Sequence, residues 1–103
     1  MVSIMELRES FRAPFLQLAW QRYTRIVESL GKGEKGEVSE LRSAASELHC
    51  LSGEASMLDF KNVAELARVG EKAAREGDRA QVTKLVTEIH TALKSIEAEG
   101  SSG

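Results

Sequence analysis

The chain has 103 residues, 42% of them hydrophobic and 29% charged, which suits one domain with one modest core. A formal net charge of −2 with no basic, aromatic-rich stripe excludes a nucleic-acid surface, and the apolar runs are far too short to span a membrane. The lone Cys50 cannot form an internal disulfide, and Glu6, Arg8 and Glu9 interrupt any signal-peptide core, so the expected location is the cytoplasm.

The apolar spacing is helical throughout, and no strand pattern or internal repeat is present. Residues 2–30 read as helix with a break at Pro14, because proline lacks a donor and disfavours helix at the preceding Ala13. This predicts a short N-terminal helix with Ile4, Leu7 and Phe11 inward. A second helix then carries Phe15, Leu18, Ala19, Tyr23, Ile26 and Leu30 inward. Gly31 to Gly36 reads as a loop. A central helix follows from Glu37 or Val38 to Leu58, with Leu41, Ala45, Leu48, Leu51, Ala55 and Leu58 on one side.

Asn62, with Glu65 three places on, has the pattern of a capping box opening the next helix. That helix turns Val63, Leu66, Ala67, Gly70 and Ala74 inward and stops at Gly77. Asp78 then caps the last helix, whose stripe is Val82, Leu85, Val86, Ile89, Leu93 and Ile96. Residues 97–103 read as a flexible tail, leaving residues 1–96 as the domain. Short connections force antiparallel neighbours. The predicted fold is therefore all-α, an up-down-up-down antiparallel four-helix bundle with a short extra N-terminal helix.

His49 stands apart from the apolar side of the central helix, at roughly 120° from the middle of its stripe. Arg42, Ser46, Gly53 and Ser56 share its edge, so the ring has small neighbours and open space. Gly53 costs a helix about 1 kcal/mol relative to alanine, and one turn past His49 it removes the side chain that would cover the ring. A neutral imidazole is a competent nucleophile near neutral pH. His90, on the edge of the last helix, reads as a surface residue. Two histidines and one cysteine at these spacings do not make a metal site, and no nucleotide-binding loop is present.

The run His49-Cys50-Leu51-Ser52-Gly53-Glu54-Ala55-Ser56-Met57-Leu58-Asp59-Phe60 resembles the signature of histidine-containing phosphotransfer (HPt) domains of two-component phosphorelays. It matches at His49, Leu51, Gly53, Ala55 and Leu58. It departs at Ser52, where the family usually has lysine, and at Asp59, where it usually has glycine. The segment from Asn62 to Asp78 resembles the family's next helix and its Gly-Asp turn, and the likeness runs from about Leu7 to Ile96.

The resemblance implies a phosphocarrier without its own ATP site, and so not an enzyme, with His49 as phosphoacceptor. It would take a phosphoryl group from the phospho-aspartate of a response-regulator receiver domain, or from a histidine kinase through one, and pass it on. Arg42, Ser46, Ser52, Gly53 and Ser56 would face the phosphoryl group or the partner, with help from the helix carrying Trp20 and Tyr23. Arg42 or Lys61 would replace the charge missing at Ser52. The chain would be monomeric and need no cofactor, the Mg²⁺ belonging to the receiver. Two alternatives stay open: a degenerate docking module that binds a receiver or kinase without phosphotransfer, and the N-terminal transfer domain of a larger chemotaxis-type kinase.

Overall fold

A computed structural model describes residues 3–32 and 38–101. The described residues form four helices: α1 (Ile4–Lys32), α2 (Val38–Met57), α3 (Lys61–Arg75) and α4 (Arg79–Ser101). Each packs on its neighbours in the closed order α1, α2, α3, α4, α1. Long-range partners show α1 to be antiparallel to both α2 and α4. Phe15 meets Phe60 while Arg25 reaches Glu47, and Trp20 bonds Glu97 while Tyr23 meets His90. The bundle expected from the stripes is present. Leu41, Ala45, Leu48, Leu51 and Ala55 of α2 are buried, as are Val63, Ala67, Gly70 and Ala74 of α3 and all six stripe residues of α4. Burying a side chain such as Leu48 or Leu93 contributes about 1.5–3 kcal/mol.

The separate N-terminal helix is not there: α1 runs unbroken through Pro14. The proline leaves the Ser10 carbonyl without its helical donor, but Ala13 and Pro14 are exposed, so water can take that bond. The chain on both sides is anchored to one ring. The Arg8 guanidinium lies 4.5 Å from the centroid of Phe60, and Phe15 stacks on it at 4.7 Å. Ser3 starts the helix, its Oγ accepting the Glu6 N–H at 3.1 Å. The first turns project past the end of α2, so Ile4 and Phe11 are exposed and not inward as their spacing suggests, while Leu7 is half-buried.

The expected loop begins later than Gly31. Gly31 and Lys32 close α1, and residues 33–37 lie outside the described residues. Arg79 closes this end of the bundle, donating to the Leu30 carbonyl and lying 3.7 Å from Glu40. At the other end, α4 continues past Glu97 to Ser101, through residues the sequence assigns to the tail. Glu97 accepts a 2.8 Å bond from Trp20 Nε1, which fixes that turn to α1. Residues 102 and 103 of the tail lie outside the described residues.

The connection from α2 to α3 explains a departure from the family signature. The Asp59 N–H bonds the Ser56 carbonyl at 3.1 Å and the Phe60 N–H bonds the Ala55 carbonyl at 2.9 Å. This paired closure of a helix end needs a left-handed residue, and Asp59 has φ 61°. Gly77, with φ 78°, closes α3 in the same way. At Asp59 a Cβ in the left-handed region costs roughly 1–2 kcal/mol, partly offset because glycine loses more freedom on folding. Asp59→Gly is expected to raise stability by about 0.5–1 kcal/mol. Urea unfolding of the two proteins checks it, and a glycine variant no more stable than the parent contradicts it.

The same closure displaces the expected capping box. Phe60, buried as the apolar anchor of the turn, also becomes the N-cap of α3 and offers no side-chain bond. Glu65 pairs instead with Arg68. The Asp78 cap is present, with Oδ1 accepting the Gln81 N–H at 3.1 Å.

Candidate functional site

Two contacts fix the face of α2 that carries His49. On the α1 side, Arg22 donates two bonds to Glu54 (2.8 and 2.7 Å) and one to Glu47 (2.9 Å). The bond to Glu54 outweighs the loss of hydration and, with Glu47, raises the Arg22 pKa further, so the fork stays charged. On the α3 side, Gly70 sits against Leu48: a Cβ there would lie 3.3 Å from a Leu48 methyl. This close approach sets the antiparallel register. His49 and Glu71 lie one residue to either side of that crossing, close enough for the Glu71 side chain to reach the ring.

His49 is 71% exposed, and its Nδ1 lies 3.2 Å from Oε1 of Glu71, which is only 18% exposed. The other Glu71 oxygen accepts from Arg75 Nε at 2.9 Å, with Arg75 Nη2 at 2.8 Å. Burial pushes the Glu71 carboxyl up, but the bonds from Arg75 and His49 together bring it below the ordinary value. Glu71 therefore stays ionised near neutrality. Its share of stability is present above the ordinary carboxylate pKa and lost as pH falls through the lowered value. A carboxylate can only accept, so Nδ1 must carry the proton. Nε2 of a neutral ring is then the basic nitrogen.

Glu71 carries no sequence motif. The available signal was Gly70, whose absent side chain marks the crossing point of α2 and α3. Of the other expected residues, Ser46 and Gly53 are exposed on the outward face of α2. Ser52 and Ser56 line a surface cleft with Asp59, Lys61, Ala64, Glu65 and Arg68. Arg42 lies away from that cleft, in a hollow by the end of α3 with Leu41, Ala74, Arg75, Glu76 and Gly77. Of the two cations expected to replace the lysine, Lys61 lines the cleft that holds Ser52 and Arg42 does not.

Trp20 and Tyr23 do not flank His49. They turn towards α4, where their rings meet His90 at 5.2 and 5.4 Å, so His90 is half-buried and not a plain surface residue. The α1–α4 groove is across the bundle from the α2–α3 groove.

A Cβ on Gly53 would meet nothing within 4 Å, and its backbone is helical. Packing within the chain does not require glycine there. Gly53→Ala is expected to stabilise the bundle by about 0.5–1 kcal/mol. Thermal unfolding checks it, and a fall in midpoint would show that packing does require the glycine.

An all-helical bundle that holds one solvent-facing imidazole by a neighbouring carboxylate is a scaffold for presenting a nucleophile. The family model described as the Hpt domain matches residues 10–99, and the chain belongs to that family. Hpt domains are histidine phosphotransfer modules of phosphorelays, carriers rather than catalysts, and their partners are generally receiver domains and kinases. No curated protein and no solved structure matches the chain. Among the described residues, no helix is long and apolar enough to cross a membrane.

Proposed function

We propose that this protein carries a phosphoryl group on Nε2 of His49, taken from the phospho-aspartate of a receiver domain and passed on. The observation that carries this reading is the contact between Nδ1 and Glu71 on an otherwise exposed ring. In the transfer, the Nε2 lone pair attacks phosphorus and the P–O bond to the aspartate breaks. That carboxylate leaves with the bonding pair. The ring keeps its Nδ1 proton and gains positive charge, which the ionised Glu71 stabilises, much as a buried aspartate steadies the histidine of a hydrolase triad. Return of the phosphoryl group to a second carboxylate reverses each bond change.

The chain's own contribution is orientation and one fixed negative charge. The Mg²⁺ that such transfers use belongs to the receiver. Gly53, Ser46 and Ser56 leave the ring uncovered, and the partner approaches over the outward face of α2 between Arg42 and Ser56.

Incubation with a phosphorylated receiver tests the reading. The expected label is stable in alkali, labile in acid and maps to His49. Binding of the receiver without transfer would replace this reading with that of a docking module.

A further inference from the structure

A phosphoryl group on His49 places two negative charges beside Glu71, which is already ionised. Two like-charged groups in one groove oppose each other unless a cation stands between or beside them. Ser52, one turn beyond His49, can donate a hydrogen bond but carries no charge. The cations bordering this groove from α3 are Lys61, Arg68, Lys72 and Arg75.

They are not equivalent. Arg75 is committed to Glu71 through two contacts and keeps that carboxylate on the ring. Lys61 opens α3, beside the end of α2. Extending the register of Leu48 on Gly70 and His49 on Glu71 places Lys61 opposite Leu58, nine residues or roughly 13 Å along α2 from His49. The same register places Arg68 opposite Leu51 and Ser52. Lys72 is exposed and borders the Glu71 and Arg75 cleft, but it does not line the cleft holding Ser52.

Arg68 borders both clefts, the one with Ser52 and Ser56 and the one with Glu71 and Arg75. Its resting partner is Glu65, one turn away on the same helix, at 2.6 Å with each side chain 61% exposed. Exposed pairs of this kind hold weakly, so Arg68 can exchange Glu65 for a stronger acceptor. A phosphoryl group offers two or three charged oxygens to its planar fork.

We propose that Arg68, reaching over the α2–α3 groove at the level of Ser52, is the cation that binds the phosphoryl group during its transfer to His49. The proposal rests on the phosphocarrier reading and assigns that reading its anion-binding residue. It also makes Glu65 a resting counter-ion, which keeps Arg68 in place before the phosphoryl group arrives.

The test uses phosphoramidate as donor, which needs no protein partner. The P–N bond breaks with release of ammonia as the bond from Nε2 to phosphorus forms. Labelling rates are measured for the parent, Arg68→Ala, Arg68→Lys and the double variant Arg68→Ala with Ser52→Lys. Circular dichroism accompanies each. Arg68→Ala is expected to label His49 about tenfold more slowly, the equivalent of ~1.4 kcal/mol in the barrier. Arg68→Lys is expected to recover most of the rate. The double variant is expected to recover it too, because its lysine restores a cation from the other bank of the groove. A purely structural role for Arg68 predicts no such rescue. Equal rates for the parent and Arg68→Ala, or a double variant as slow as Arg68→Ala, would overturn the proposal while leaving the carrier reading intact. A parent that takes no label on His49 overturns the carrier reading, and the proposal with it.

Discussion

Replacing His49 by glutamine is expected to abolish phosphorylation and leave the bundle folded. The ring is 71% exposed and lies off the buried side of α2, so its loss removes no core contact. Surface substitutions of this kind change stability by about 0.5 kcal/mol or less. Glutamine keeps a donor that can still reach Glu71 but has no nucleophilic nitrogen. His90 offers no substitute. It is half-buried between Trp20 and Tyr23, and no described carboxylate bonds its ring. The check is labelling of parent and variant from one phosphorylated receiver, with helicity measured on both. Label on the glutamine variant would contradict the assignment, and a loss of helicity would show that the ring also supports the fold.

Glu71→Ala is expected to have the next largest effect, slowing transfer about 100-fold. Losing the carboxylate has two consequences. The ring can then turn, and the neutral imidazole can place its proton on either nitrogen, so less of the protein presents Nε2 as a base. The positive charge that develops on the ring also loses its counter-ion. Groups that fix tautomer and steady such charge contribute about 10²–10⁴-fold in acid–base catalysis, and the exposure of His49 places this site at the low end. Glu71→Gln is expected to fall in between, because its amide oxygen still accepts from Nδ1 but carries no charge. Single-turnover transfer rates for the three proteins check the order. A rate for Glu71→Ala within about twofold of the parent would remove the carboxylate from the account.

The sequence shows where α2, α3 and α4 meet the core, because that depends on local periodicity. The stripe of α4 from Val82 to Ile96 is buried as its spacing requires, and Asp78 caps the helix as its position suggests. The features it hides depend on partners distant in the chain. Pro14 reads as a break, yet α1 passes through it because Arg8 and Phe15 both hold Phe60. Asn62 reads as a cap, but the closing turn at Asp59 and Phe60 starts the helix two residues sooner.

The site divides in the same way. His49, Gly53 and the serines around them are legible as a ring with open space on one helix face. Glu71 and Arg68 come from another helix, and the packing of α3 on α2, with Gly70 against Leu48, brings them to the groove. Trp20 and Tyr23 are a similar case. Their chemistry suits a docking surface, but the order of packing turns them to α4.

The most direct measurement is the position of the phosphoryl group on the ring. Two-dimensional nitrogen–proton spectra of ¹⁵N-histidine-labelled protein, before and after phosphorylation, distinguish the two ring nitrogens. A proton on Nδ1 of His49 throughout and phosphorus coupled to Nε2 are expected. Phosphorus on Nδ1, or a resting ring with its proton on Nε2, would contradict the role given to Glu71 and with it the central claim.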